Sequence, residues 1–103
     1  MGYRSDVVVK FSDNAAKVVK KFYELDPQIK ELIDDSEDPM RDGWGNFNHF
    51  RWDWIKWYED DDEVIIAFMD MLDQLCDEDY GMIRLGEETD DVGYYGCPSN
   101  FGM

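Results

Sequence analysis

The sequence predicts a single α+β domain, with two to three helices on one face of a small mixed or antiparallel sheet of about four strands. A length of 103 residues suits one hydrophobic core. The chain is 44% hydrophobic and 16% aromatic, which is enough apolar surface to fold despite its charge. Its apolar residues switch between strand and helix spacing in the order β-α(α)-β-α-β-β. We therefore expect a ferredoxin-like or split-βαβ variant over residues 1–103, with a frayed tail at 96–103.

The first third of the chain predicts a strand followed by a bent helix. Residues 3–11 alternate and are rich in valine, as in a half-buried strand. Ser12 and Asp13 offer a helix N-cap, and Asp26-Pro27 marks a second helix start, because Pro is favoured in the first turn. The helical stripe that we expect to face the core contains Ala15, Val18, Val19, Phe22, Ile29, Leu32 and Ile33.

The middle of the chain predicts a loop and a long strand. Residues 34–46 are polar and carry Trp44 between two glycines, which is typical of a mobile connection. Residues 47–58 are typical of a strand whose apolar parity changes halfway. A β-bulge near Asp53-Trp54 would return Phe50, Trp52, Ile55 and Trp57 to one face.

The last third predicts a helix and a hairpin. Asp61 or Asp62 caps a helix from Glu63 to about Cys76, with Ile65, Phe68, Met69 and Leu72 facing inward. The helix is followed by a strand over residues 80–85, a turn over 86–91 and a short closing strand over 92–95.

The charge of the chain limits its partners. Twenty-five Asp and Glu against ten Lys and Arg give a net charge of −15, concentrated in four short runs. Such a field disfavours nucleic acid and anionic membranes and favours a protein with a basic surface. We expect partner contacts from three runs and from a tryptophan anchor in the loop: Asp34, Asp35, Glu37, Asp38, Trp44, Asp60, Asp61, Asp62, Glu87, Glu88, Asp90 and Asp91. Whichever of Trp52 and Trp54 faces outward is a second candidate anchor.

Catalytic and metal-binding patterns are weak. The sequence contains no P-loop, GxGxxG, GxSxG or HExxH motif. His49 is the only histidine, and with Cys76 and Cys97 it matches no zinc spacing. In the best calcium candidate, residues 34–39, Pro39 stands where an EF-hand loop needs glycine. We therefore predict no enzymatic activity, no catalytic residue, no metal and no cofactor.

Location follows from equally simple features. The first residues do not resemble a signal peptide, and no apolar run has the 18 or so residues that a membrane span needs. The two cysteines are far apart, so we expect reduced thiols. A cytoplasmic protein without membrane contacts is the expectation, as a monomer or homodimer.

Three segments carry a resemblance to small proteins encoded by tailed bacteriophages. They are Gly2-Tyr3-Arg4-Ser5-Asp6-Val7, Arg51-Trp52-x-x-Ile55-Lys56-Trp57-Tyr58 and Arg84-Leu85-Gly86-Glu87-x-x-Asp90-Asp91-Val92. The resemblance implies a small acidic accessory protein made during infection, of the anti-CRISPR, anti-restriction or host-takeover type, acting in the host cytoplasm. It implies no catalytic residues.

Two hypotheses about function result. The first is a phage-encoded, non-enzymatic inhibitor that binds a host defence or nucleic-acid-processing protein, with an acidic surface that partly mimics DNA. The alternative is a small module that binds a protein or ligand in an apolar pocket or at a sheet edge, with acidity serving only solubility.

Overall fold

The computed structural model describes residues 3–36 and 47–102. Within these ranges the chain forms four strands, three α-helices and two short 3₁₀ turns. In chain order they are β1 (Ser5–Phe11), α1 (Asp13–Leu25), α2 (Pro27–Asp34), β2 (His49–Ile55), α3 (Glu63–Asp73), a 3₁₀ turn (Asp77–Asp79), β3 (Tyr80–Gly86), β4 (Val92–Gly96) and a C-terminal 3₁₀ turn (Pro98–Phe101).

The four strands form one antiparallel sheet in the order β2-β1-β3-β4. Because β2 and β3 both run antiparallel to β1, they are parallel to each other, and α3 connects them across β1. This is a split βαβ unit, and the predicted α+β class is confirmed. The strand order departs from the ferredoxin-like alternative, because β3 and β4 are a terminal hairpin and β4 pairs outside β3.

The core lies between one face of the sheet and all three helices. In β1 the alternating residues Ser5, Val7, Val9 and Phe11 are buried, as a strand with one covered face requires. The cluster continues through the helices at Ala15, Val19, Ile29, Leu32, Ile33, Ile65, Phe68, Met71 and Leu72. The predicted one-sided placement of the helices is therefore confirmed.

Side-chain caps fix where the helices begin. The Ser12 hydroxyl accepts the Ala15 amide hydrogen bond at 3.2 Å, and the Asp26 carboxylate accepts those of Gln28 and Ile29. Asp62 caps α3 in the same way. These three starts were predicted from the sequence, since each has a short polar side chain before an apolar period.

Three details of the predictions are corrected. Strand β2 is shorter than residues 47–58, and α3 ends at Asp73 before Cys76. The buried methionine of α3 is Met71, beside the buried Leu72, whereas Met69 is only half-buried. A seven-residue β2 suffices because it pairs along the seven-residue β1.

The predicted bulge in β2 is confirmed. Ser5 pairs with Ile55 and Val7 pairs with Trp52, so one extra residue of β2 lies opposite β1. Trp54 occupies this position with a φ of 58°, a left-handed conformation that is rare for a bulky side chain. The bulge keeps Trp52 in the core while Trp54 is 59% exposed.

The C-terminal segment folds back onto the sheet. Residues 96–103 were expected to be a frayed tail, whereas Pro98–Phe101 forms a 3₁₀ turn against β3. The Cys97 amide donates to the Tyr80 carbonyl at 2.9 Å, and the Lys10 ammonium donates to the Phe101 carbonyl at 3.4 Å. Residues up to 102 thus cover one end of the sheet face that the helices leave open. None of the helices that the structure describes is long and apolar enough to cross a membrane.

Gly81→Ala should loosen the C-terminal segment. A Cβ atom at Gly81 would lie 2.6 Å from the Pro98 Cα, so the Pro98 backbone must move. We expect a loss of about 1–3 kcal/mol in unfolding free energy, as for overpacked sites, with faster amide exchange at Asn100. Gly93→Ala is the control, because its Cβ would meet only the Tyr95 ring. Equal amide hydrogen-exchange rates at Asn100 in both variants would contradict the packing of the C-terminal turn against β3.

Candidate protein-binding surface

The topology brings the described residues of three of the four acidic runs to one end of the sheet. The antiparallel sheet places the start of β1, the ends of β2 and β3 and the start of β4 together. The C-terminus of α2 and the N-terminus of α3 meet at the same end. There, Asp34, Asp35 and Asp62 line an open groove of about 720 Å³ together with Arg4 and Ile55.

The third run joins this groove through the β3–β4 turn. The Glu87 carboxylate accepts the Arg4 amide hydrogen bond at 2.5 Å. We call this surface the acidic end and define it by Asp34, Asp35, Asp60, Asp61, Asp62, Glu87, Glu88, Asp90 and Asp91. The remaining predicted contacts, Glu37, Asp38 and Trp44, lie outside the described residues.

The fourth run lies at the opposite end of β1. The Asp79 carbonyl accepts the Ser12 amide hydrogen bond at 2.8 Å, and the Asp79 carboxylate accepts the Ser12 hydroxyl at 3.0 Å. Asp77 and Glu78 are exposed beside it. The chain therefore carries a second acidic patch of similar composition, remote from the acidic end along β1.

Members of the acidic end divide into structural and free carboxylates. Asp62 caps α3, and Asp34 forms an ion pair with Lys30 at 3.0 Å. Asp91 is bound by Arg84 at 2.9 Å. By contrast, five exposed carboxylates have no side-chain hydrogen bond or ion pair to the described residues: Asp35, Asp60, Asp61, Glu88 and Asp90.

Arg84 organises the interior of the acidic end. Its guanidinium lies on the helix-covered face of β3, where its side chain is only 18% exposed. It donates to Asp91 at 2.9 Å and to the hydroxyl of the buried Ser5 at 3.2 Å. The Asp91 carboxylate also accepts a hydrogen bond from Tyr3 at 2.5 Å. These contacts attach the β3–β4 turn to the start of β1.

The same network reaches the loop that precedes α3. The Glu59 carboxylate accepts the Tyr95 hydroxyl at 2.9 Å and the Trp57 indole N–H at 3.1 Å. Burial, with Glu59 nearby, raises the pKa of Tyr95, so this phenol remains a donor at neutral pH. Two of the acidic loops are thus attached to the sheet by half-buried or exposed hydrogen bonds.

Trp54 is the exposed aromatic residue beside this network. The Asp6 carboxylate accepts its amide hydrogen bond at 2.8 Å, and Arg4 donates to its carbonyl at 3.2 Å. With Asp35 and Asp53 it lines a cleft of about 340 Å³. Of the two tryptophans considered as anchors, Trp54 faces outward and Trp52 is buried.

Sequence reasoning missed the basic and neutral side chains that hold the acids. Tyr3 and Arg4 directly precede β1, whereas Arg84 lies in β3, and only the pairing of β1 with β3 brings Arg84 to them. The one available signal was the pairing of Asp91 with Arg84 across a predicted hairpin. Nothing in residue spacing indicated that Tyr3 reaches the same carboxylate.

Metal binding finds no support in the described residues. Within residues 3–36 and 47–102, no group of three or more His, Cys, Asp or Glu side chains converges as metal ligands do.

No protein-family model matches the chain, and no curated protein or solved structure is significantly similar to it. Function must therefore be argued from the geometry of the acidic end.

Replacing Asp91 should make folding stability less dependent on acid. Hydrogen bonds from Arg84 and then Tyr3 lower the pKa of Asp91 in the folded protein. Its stabilising contribution is therefore complete above its unfolded pKa of about 3.9 and is lost as the pH falls through the lower folded value. The free energies of unfolding of wild type and Asp91→Asn, measured by urea denaturation, should differ at pH 7 and become similar near pH 2. Asp90→Asn is the control. An unchanged gap at both pH values would contradict the network.

Trp54→Gly should not destabilise the protein. Glycine adopts a positive φ freely, so the substitution removes the backbone strain at this position. Glycine also raises the conformational entropy of the unfolded chain, and this opposing effect on the free energy of unfolding is of similar size. We expect a change between zero and about +1 kcal/mol in unfolding free energy. Trp52→Ala, in the core, should instead lose about 3–5 kcal/mol. A loss above about 1 kcal/mol for Trp54→Gly would mean that the indole supports the fold.

Proposed function

We propose that this protein is a non-enzymatic inhibitor that binds a basic groove in a nucleic-acid-processing protein. The observation that carries the proposal is the gathering of three acidic runs at one end of the fold. Nine carboxylates from separate segments contribute to one field there. A basic groove that normally holds a phosphate backbone offers the complementary charge.

The attachment of these acids to the sheet supports recognition beyond simple solubility. Solubility needs charge but no fixed geometry, whereas a receptor with fixed cations gains from carboxylates in fixed positions. Arg84 and Tyr3 hold the β3–β4 turn, and Glu59 holds the loop before α3. The free acids Glu88, Asp60 and Asp61 project from these two segments.

Charge and the exposed indole have different roles in the proposed complex. Surface carboxylates chiefly raise the association rate and select the partner. Trp54 sits beside the groove with 59% of its surface exposed, and burial of this indole would slow dissociation. Trp54 is the outward-facing member of the pair proposed as the second anchor, and Trp44 lies outside the described residues.

The class of target follows from the resemblance to small phage proteins. An accessory protein made during infection meets host nucleases and other defence complexes, and these carry basic nucleic-acid grooves. We propose such a defence protein as the target, with the acidic end in part replacing DNA. In this account the protein acts stoichiometrically and without a cofactor.

Neutralising the acidic end should slow association with the partner, whereas an equal change elsewhere should not. The test variant carries Asp35→Asn, Asp60→Asn, Asp61→Asn and Glu88→Gln. The control carries Asp70→Asn, Asp73→Asn, Asp77→Asn and Glu78→Gln, which are exposed acids outside the acidic end. Both variants lose four negative charges, so any difference between them reports position.

The assay is affinity capture from bacterial lysate at low salt, with bound proteins identified by mass and then purified for kinetics. Wild type and control should capture the same basic protein, and short duplex DNA should displace it. The test variant should associate at least about tenfold more slowly with that protein. Equal rates for both variants, or a complex that DNA does not disturb, would exclude the acidic end as the binding site.

A further inference from the structure

The two edges of the sheet differ in how they are protected against pairing. Edge strand β2 carries a bulge at Trp54 and the polar residues His49, Arg51 and Asp53, which all hinder addition of another strand. Edge strand β4 has the sequence Val-Gly-Tyr-Tyr-Gly, without charge or proline, and its register with β3 is regular. Within residues 3–36 and 47–102, the short length of β4 is the one such protection that its sequence and register show.

The backbone of β4 presents hydrogen-bonding groups to the outside. Gly86 donates to the Asp91 carbonyl at 2.8 Å, and Cys97 donates to the Tyr80 carbonyl at 2.9 Å. An antiparallel ladder alternates, so Gly93 and Tyr95 also direct their N–H and C=O groups toward β3. The N–H and C=O of Tyr94 consequently point away from the sheet.

The side chains beside this edge form an apolar surface on the sheet face that the helices leave open. Val8, Ile83 and Tyr94 lie in one row across three strands, and Leu85 and Val92 lie in the next, which ends at the exposed Asp6 of β1, away from β4. Tyr94 is 69% and Leu85 47% exposed. A strand added to β4 would place alternate side chains beside Tyr94 and extend this surface.

The charge around β4 selects a basic occupant. The strand begins directly after the acidic turn that contains Glu87, Glu88 and Asp90. A second copy of the chain would bring another net charge of −15, which disfavours pairing β4 with itself. An extended segment with Lys or Arg beside the turn gains attraction at the same place.

We propose that β4 binds an extended, basic segment of another protein as a fifth strand of the sheet. Main-chain hydrogen bonds to Tyr94 supply affinity, apolar side chains cover the Tyr94 ring, and cationic side chains face Glu87 and Glu88. This edge rests in part on Glu87 and Glu88 of the acidic end but not on the groove beside Trp54, so signal shifts at Tyr94 and at Trp54 distinguish the two binding sites.

The test uses a synthetic peptide of about seven alternating Val and Lys residues, the length of a typical strand. Titration into ¹⁵N-labelled protein should shift the amide signals of Tyr94 and Gly96 saturably. The same peptide with methylated interior amides keeps its charge and side chains but loses its donors. It should bind at least about tenfold more weakly, because strand addition depends on main-chain hydrogen bonds. A peptide with Glu in place of Lys should not bind.

Two substitutions at one position separate the backbone from the ring. Tyr94→Pro removes the outward N–H without removing a bond to β3, as edge prolines do. Tyr94→Ala keeps that N–H and loses only the ring. We expect Tyr94→Pro to lose peptide binding and Tyr94→Ala to weaken it. If Tyr94→Pro does not fold, the comparison of the methylated and parent peptides tests whether main-chain hydrogen bonds are needed.

Three outcomes would overturn the proposal. Equal binding of the methylated and parent peptides would mean that charge alone attracts them. Signal shifts confined to residues around the groove would place the peptide at Trp54. A homodimer in sedimentation that Tyr94→Pro abolishes would identify a second copy as the occupant of β4.

Discussion

The antiparallel pairing of β1 with both of its neighbours is the constraint on which the surface of this protein depends. Because β2 and β3 both run against β1, they end beside its first residues. Loops that are far apart in sequence must then leave the sheet at the same end. Acidic residues that would otherwise be dispersed become neighbours, and their mutual repulsion must be offset by the fold.

Arg84 and the surrounding hydroxyl groups provide that compensation. A half-buried guanidinium strengthens its hydrogen bonds to a carboxylate because water screens them less. The pKa of Arg84 is raised mainly by its hydrogen bond with Asp91, so its charge persists at all ordinary pH values. One cation beneath the surface thereby stabilises a turn whose exposed acids remain available to a partner. Trp52 makes a separate contact in the core, where its indole N–H donates to the Leu32 carbonyl of α2 at 2.8 Å.

The sequence predicted the local structure well and the surface only in part. Ser12, Asp26 and Asp62 identified three helix starts, because capping depends on neighbours in the chain. The change of apolar parity along β2 likewise located the bulge, because this pattern also depends only on residues close together in the chain. In contrast, Arg84 meets Tyr3 and Arg4 only through the pairing of β3 with β1, which is long-range and which residue spacing does not encode. The C-terminal turn was missed because its docking depends on the glycine at position 81, where the Pro98 backbone approaches β3.

The fold combines a charged end with an apolar edge strand that starts beside it. Charge acts over about 8 Å at physiological salt, whereas hydrogen bonds and ring contacts act only between touching groups. A partner with a basic groove would therefore be drawn to the acidic end first and bound by short-range contacts afterwards. This order of events distinguishes recognition by the acidic end from association driven by apolar contacts alone.

The most direct test is the association rate constant of wild-type protein with its captured partner, measured by stopped flow across a range of ionic strength. If the acidic end steers binding, the rate should fall at least about tenfold between roughly 50 and 300 mM salt while the dissociation rate changes little. An association rate that does not depend on salt would contradict the account.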